Sequence, residues 1–177
     1  MNKLYSLFNK IKLVGVAISG LALVLMMFAI VADVLSRNIT GASILGVYEM
    51  TQNYLMILTI FPALPYVYAQ GIMPKMELLF DKFKGIGKTL LVLGIQLVEM
   101  IVYLLIFYYS LQYALTGLEN DVGFMAGGNI YTLYPVLFLI PISFALMFVE
   151  TVFVFVKNMK NKTTDFTYEV REEETYY

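Results

Sequence analysis

The sequence predicts an all-α membrane protein with four transmembrane helices, and three observations lead to this prediction. Of its 177 residues, 60% are hydrophobic, and the mean hydropathy is +0.76. Soluble domains are only about half apolar, so this composition is typical of an integral membrane protein. Four apolar runs each reach the roughly 20 residues that a helix needs to cross a bilayer. Finally, if these runs cross a membrane, the basic residues are concentrated on one side of it.

The apolar runs define the predicted domain organisation. The spans are expected over residues 13–35, 46–68, 89–115 and 130–156. We expect residues 1–160 to form a single transmembrane domain. The remaining residues, 161–177, are polar and acidic, which is typical of a solvated tail.

The distribution of positive charge predicts the orientation in the membrane. The chain has twelve Lys and Arg residues. Eleven of them lie on one side of the predicted membrane, and only Arg37 lies on the other side. The others precede span one, separate spans two and three, or follow span four: Lys3, Lys10, Lys12, Lys75, Lys82, Lys84, Lys88, Lys157, Lys160, Lys162 and Arg171. Because basic residues favour the cytoplasmic side, both termini and the middle loop are predicted to be cytoplasmic.

Several classes of function are excluded by missing residue types. The chain contains no cysteine and no histidine. It therefore has no thiolate metal site, no bis-histidine haem ligation and no histidine-dependent catalysis. The sequence also has no phosphate-binding glycine loop and no paired catalytic carboxylates, and its lysines are dispersed along the membrane edges. We expect neither an enzyme, nor a cofactor or metal, nor a nucleic-acid partner.

The most informative polar stretch lies between the first two spans. Asp33 and Arg37 are four residues apart, so on a helix they share a face with the acid on the N-terminal side. Glu49 and Gln52 open the next span at the same depth. These residues are expected to form a polar network that acts as a structural clasp or a subunit contact, because lone charges near hydrocarbon are costly.

A stripe of small residues leads along the first span toward this cluster. Gly15, Ser19, Ala22 and Ala29 recur at helical spacing and end at Asp33. Small side chains allow a neighbouring helix to approach closely, so this stripe is expected to be a packing face.

Two amphipathic stretches are expected to lie on the cytoplasmic membrane surface. One covers residues 2–12, although an extension of the first span explains it equally well. The other covers residues 74–84 and combines an apolar stripe with basic residues suited to anionic headgroups. Its members are Met76, Leu79, Phe80, Phe83, Lys82 and Lys84.

Further polar and helix-breaking residues lie within or between the remaining spans. Glu99 is expected near mid-membrane, either as a structural carboxyl bonded to a tyrosine or glutamine, or as an ion carrier. Pro62 and Pro65 predict a bend in span two. The loop over residues 116–129 is expected to be short and flexible, and Glu150 is expected to extend toward water or toward the lysines that follow it.

Three short motifs suggest a family. The segment Asp33-Val34-Leu35-Ser36-Arg37 ends span one, the pair Tyr48-Glu49 opens span two, and Gly71-Ile72-Met73-Pro74-Lys75-Met76-Glu77-Leu78-Leu79 follows span two. With its four spans, the chain resembles the small membrane subunit of tripartite ATP-independent periplasmic (TRAP) transporters, the DctQ-like family. Members usually carry a histidine where this chain has Met73, so no role of that histidine is transferred.

The resemblance implies a non-catalytic subunit in the bacterial inner membrane. Its partners would be the lipid bilayer, a large multi-spanning subunit and an extracytoplasmic substrate-binding protein. The complex would be a secondary transporter, sodium-coupled, that imports small organic acids, with the small subunit as a scaffold.

Two other functions remain open from the sequence. One is a homo-oligomeric channel or carrier that uses Glu99 as its ion site. The other is the small subunit of a tricarboxylate-type tripartite transporter, which has a similar architecture. A redox-enzyme anchor is disfavoured, because the chain lacks haem-ligating histidines.

Overall fold

The computed structural model describes residues 2–71 and 86–161, and within them the chain is mostly helical. The described residues form three long helices, and the short elements lie between them. In chain order the elements are α1 (Asn2–Thr40), α2 (Val47–Met50), a π-helical turn (Thr51–Leu55), α3 (Met56–Ile60), a 3-10 turn (Phe61–Ala63), α4 (Leu64–Ala69), α5 (Ile86–Glu119), β1 (Gly123–Ala126), β2 (Asn129–Thr132), α6 (Tyr134–Leu137) and α7 (Leu139–Asn161).

Within residues 2–71 and 86–161, three helices are long and apolar enough to cross a membrane. They cover Tyr5–Thr40, Gly87–Glu119 and Tyr134–Lys160. The predicted span 46–68 is also helical, over residues 47–69, but its changes of helix type leave it without one long uniform helix. Residues 47–69 are called the second helical segment below.

The predicted surface helix over residues 2–12 is not a separate element, because these residues form the first turns of α1. Leu7 lies on the outer face of α1 and is 61% exposed. The buried face is made instead by Tyr5, Phe8 and Lys12, which pack against α7. The alternative interpretation, an extension of the first span, is the one that the structure supports.

Pro62 explains one irregularity of the second helical segment. Proline has no N–H, so the carbonyl of Leu58, four residues earlier, lacks its usual helical donor. The hydroxyl of Ser19, on α1, donates to this carbonyl over 3.2 Å. Serine from a neighbouring helix is a known means of satisfying a backbone group that proline frees inside a membrane.

Pro65 repeats the arrangement three residues later with a different helix. It removes the usual helical donor of the Phe61 carbonyl, which lies in the 3-10 turn and accepts the N–H of Leu64 there. The hydroxyl of Ser143, on α7, lies 2.7 Å from this carbonyl and 2.8 Å from the carbonyl of Leu139 in its own helix, so its proton is shared between them. The second helical segment is thus attached to α1 at one proline and to α7 at the next.

The prediction of a flexible loop over residues 116–129 is wrong in part, because the chain forms an antiparallel hairpin that begins in this stretch. β1 pairs with β2 from Gly123 opposite Thr132 to Ala126 opposite Asn129. Gly127 and Gly128 both have positive φ, as a two-residue turn between strands with right-handed twist requires. The fold is mostly helical with this one hairpin added in the described residues, and the last apolar helix begins at Tyr134, not at residue 130.

The hairpin rests on the chain that enters the second helical segment. Gly46 is so close to it that an added Cβ would lie 3.0 Å from the backbone nitrogen of Gly127. Tyr54 donates from its hydroxyl to the carbonyl of Thr132, and its ring packs edge-on against Phe124 with centroids 5.1 Å apart.

α7 lies at the centre of the helical packing. It contacts α5 along its length, and α4 and the 3-10 turn on another side, while α1 packs mainly on the second helical segment. Pro135 and Pro141 both lie near helix starts, and Phe138 separates α6 from α7. Pro141 cannot bond to Leu137, which explains why the helix is interrupted there.

Candidate functional site

Asp33 and Arg37 form the predicted pair at the end of α1. The Nη2 atom of Arg37 lies 2.8 Å from Oδ2 of Asp33. The other carboxylate oxygen, Oδ1, accepts the backbone N–H of Ile44 at 2.8 Å. Asp33 is buried, whereas 59% of the Arg37 side chain is exposed. Asp33 therefore fastens the loop after α1, and the guanidinium group of Arg37 faces outward.

Of the other two members of the predicted network, Gln52 lies near Asp33 and Arg37 and Glu49 does not. Gln52 lines the same cleft as Asp33 and Arg37. Glu49 does not line this cleft, is half-buried, and has no ion pair with the residues that the structure describes. Its backbone carbonyl accepts the side-chain amide of Asn53 at 2.8 Å. Only Asp33, Arg37 and Gln52 are brought together.

The small-residue stripe of α1 packs against the second helical segment of the same chain. An added Cβ on Gly15 would lie 2.3 Å from the carbonyl oxygen of Pro62, so the two backbones are in direct contact there. Ser19 and Ala22 are buried in this contact, and Ala29 is half-buried near the start of the segment. Most of the stripe is therefore occupied within the chain and is not free for a subunit contact.

Glu99 has a tyrosine partner from the second helical segment. The hydroxyl of Tyr68 donates to Oε2 of Glu99 over 2.7 Å, and Oγ1 of Thr151 lies 3.0 Å from that hydroxyl. The ring of Tyr103 packs edge-on against Tyr68, with centroids 5.7 Å apart. This cluster joins α4, α5 and α7, as the interpretation of Glu99 as a structural carboxyl requires.

The sequence analysis missed a second buried charged cluster, at the opposite end of α1 from Asp33. Nζ of Lys12 lies 2.7 Å from Oε2 of Glu150, and both side chains are fully buried. The hydroxyl of Tyr5 donates to the other carboxylate oxygen over 2.9 Å. The ammonium group also lies 5.0 Å from the ring centroid of Phe8. The expectation that Glu150 extends toward water is therefore wrong.

A weak signal for this cluster is present in the sequence. Lys12 stands where an apolar run begins, and Glu150 stands within another, so each needs a partner of opposite charge. Their separation of 138 residues gives no indication that they meet.

Two further expectations concern metals and the middle loop. Within residues 2–71 and 86–161, no group of three or more His, Cys, Asp or Glu side chains is placed to hold a metal ion. The predicted surface helix over residues 74–84 lies outside the described residues, and so do its site residues Met76, Leu79, Phe80, Phe83, Lys82 and Lys84.

A comparison with protein families gives one match. The family model described as "Tripartite ATP-independent periplasmic transporters, DctQ component" matches residues 26–161, which is more than three quarters of the chain. The match includes Asp33, Arg37, Glu49, Glu99 and Glu150. Among curated proteins, no sequence matches the chain.

Proposed function

Because this chain belongs to the DctQ component family of tripartite ATP-independent periplasmic transporters, we propose that it braces the large membrane subunit of such a transporter. As a member of that family it is a small inner-membrane subunit of a transport system. Family members work with a large membrane subunit and a substrate-binding protein. In this proposal substrate recognition and ion coupling belong to those two components.

The observation that supports a scaffold most strongly is the way the buried charges are used. Lys12 is paired with Glu150, Glu99 accepts the hydroxyl of Tyr68, and Asp33 is bonded to Arg37 and to a backbone N–H. A conduit for ions or acids needs polar groups that can exchange partners with the cargo. Here each of these groups is engaged with another helix or loop of the same chain.

The outer faces of α1 and α5 are suited to a larger apolar surrounding. Phe28 on α1 is 70% exposed, and Val98 on α5 is 60% exposed. Such wide apolar faces are stable only against lipid or against another membrane subunit. The proposal assigns part of this surface to the large subunit.

We propose four membrane crossings, with the Lys12 end of α1 on the cytoplasmic side. The second helical segment has 23 residues from Val47 to Ala69, or about 34 Å, which is long enough to cross the hydrocarbon core. The serine bonds described above satisfy its irregular backbone, so the segment is compatible with the bilayer interior. The concentration of basic residues supports this orientation.

Glu49 is the described residue most suited to contact a partner subunit. It is half-buried next to the membrane edge and lacks an ion pair within the described part of the chain. A carboxylate in such a position is stabilised by a donor from outside, because an unpaired charge near hydrocarbon is costly.

The proposal that the transporter imports organic acids with sodium is based on the family resemblance and not on residues of this chain. The described residues contain no cluster of acidic side chains suited to a metal ion. The cargo and the coupling ion are therefore proposed to be bound by the other components, and the cargo to be a small organic acid as the resemblance implies.

The proposal is tested by purifying the tagged chain from native membranes in mild detergent. We expect a large multi-spanning protein to co-purify, and Glu49→Ala to reduce its yield by about tenfold, the scale of one charged hydrogen bond. Glu119→Ala is the matched control, because Glu119 is an exposed acid at the same end of the helices. Recovery of the chain as a lone homo-oligomer would contradict the scaffold.

A further inference from the structure

A lateral cleft of about 530 Å³ lies between α1 and the start of the second helical segment. We call it the α1–α2 cleft. It has a polar rim and an apolar floor. The rim includes Arg37, Tyr48 and Gln52, and the floor includes Met26, Ile30 and Met56.

The position of the rim along α1 corresponds to the depth of lipid headgroups. Asp33 lies 21 residues after Lys12, or about 32 Å along the helix, which matches a hydrocarbon core of about 30 Å. Arg37 lies one turn beyond Asp33 and so reaches the headgroup region. Met26 lies about 16 Å back along α1 from Arg37, so the floor extends into the hydrocarbon.

Among the described residues, several hydrogen-bond donors of the rim are not matched by an acceptor. The guanidinium group of Arg37 carries five N–H donors, and its ion pair among the described residues, with Asp33, uses only one side of the group. Oγ1 of Thr51, which also lines the cleft, is buried and has no hydrogen-bond partner among the described residues. The amide of Gln52 is exposed beside them. Such a set fits a group that only accepts hydrogen bonds.

We propose that the α1–α2 cleft binds one glycerophospholipid of the leaflet that faces away from Lys12. Its phosphodiester accepts hydrogen bonds from Arg37 and Gln52, because arginine binds phosphate oxygens with several donors at once. One acyl chain lies on Met26, Ile30 and Met56. The lipid fills the space beside the loop that Asp33 fastens, and so stabilises the start of the second helical segment.

A lipid fits the cleft better than a helix of another subunit. The side of a helix offers no free backbone acceptor to Arg37 and Gln52, because its carbonyl groups are bonded within the helix, whereas a phosphodiester has several acceptor oxygens. An extended peptide would leave backbone N–H and C=O groups unsatisfied at membrane depth. An acyl chain is slimmer and has no such groups.

The test measures phospholipid retained by the full-length chain after purification and repeated detergent washing. The wild-type chain is expected to keep about one phospholipid per polypeptide, counted by mass spectrometry. Arg37→Gln is expected to retain it about tenfold less well, since it loses a charged hydrogen bond. Lys160→Gln, which removes an exposed cation at the other end of the molecule, should retain it as the wild type does.

A second variant separates loss of lipid from loss of fold. Met56→Trp fills the floor and leaves Arg37 in place, so it should also exclude the lipid, whereas Leu25→Trp on the exposed face of α1 should not. All variants are checked for unchanged helix content by circular dichroism and unchanged size by gel filtration in the same detergent. Equal lipid retention by wild type, Arg37→Gln and Met56→Trp would overturn the proposal, as would photo-cross-linking from position 52 to a protein instead of to a lipid.

Discussion

Single buried polar residues of this chain are satisfied by partners from other helices. Lys12 bonds to Glu150, Tyr68 bonds to Glu99, and Ser19 bonds to the carbonyl of Leu58. An unsatisfied polar group costs several kcal/mol where no water is available, roughly 2–7 kcal/mol for transfer from water. These contacts therefore determine which helices can pack together.

The Lys12–Glu150 pair gives the sharpest prediction for single residues. Lys12→Met leaves a fully buried carboxylate without its cation, so it should lower the free energy of unfolding by about 3–5 kcal/mol. Reversible unfolding in detergent micelles measures this change.

The double variant Lys12→Met with Glu150→Met is the control for that experiment. It removes both charges, and a buried ion pair is often replaceable by apolar residues of similar volume. We expect the double variant to be more stable than Lys12→Met alone. If the loss of unfolding free energy in the double variant equals the sum of the losses in the two single variants, the pair does not act as a unit.

Ser19 provides a second prediction, about the carbonyl that Pro62 frees. Ser19→Ala leaves the Leu58 carbonyl without its donor, and should cost about 1–3 kcal/mol of unfolding free energy. Ser110→Ala is the matched control, because Ser110 donates only to Phe107 in its own helix. An equal loss in both variants would show that the contact between helices is not what matters.

At this scale the sequence predicted which residues need partners but only some of the partners. Asp33 and Arg37 are four residues apart, so helical spacing alone places them together. The partners of Lys12 and Ser19 lie 138 and 39 residues away, and no local pattern encodes such contacts.

Among the elements, α1 and the second helical segment are in direct backbone contact. Gly15→Ala would place a methyl group 2.3 Å from the carbonyl oxygen of Pro62, so the helices must separate. We expect a loss of about 1–3 kcal/mol, as for overpacked cores, seen as a lower unfolding midpoint.

Gly20→Ala tests the same substitution on the same helix without the contact. An added Cβ on Gly20 meets nothing within 4 Å, and alanine favours a helix by up to about 1 kcal/mol over glycine. Gly20→Ala should therefore be neutral or stabilising. Comparable destabilisation of both variants would contradict the close approach at Gly15.

Hydropathy predicted the positions of α1, α5 and α7 well and their ends less well. Composition averages over many residues, so it locates a span but not the residue at which helical hydrogen bonding stops. The hairpin was missed for another reason. Gly127-Gly128 is a two-residue hairpin signal, and the β-formers Ile130, Tyr131 and Thr132 follow it, but the glycines were interpreted as loop flexibility.

On the scale of the whole molecule, the buried polar clusters lie between helices, and the apolar faces of α1 and α5 face outward. The Lys12–Glu150 cluster and the Tyr68–Glu99 cluster each connect different helices to α7, on which Glu150 and Thr151 are neighbours. This arrangement suits the proposed role of a brace, because the acids of both clusters are engaged within the chain. The scaffold role was anticipated from the family resemblance, and it stays a proposal.

Uptake into proteoliposomes tests this central claim most directly. Three preparations are compared under an imposed sodium gradient, with the binding protein and labelled organic acids added: the chain alone, the large subunit alone, and both together. We expect no uptake by the chain alone and uptake by the two subunits together, with less or none from the large subunit by itself. Ion or solute flux through the chain alone, lost in Glu99→Gln, would contradict the account.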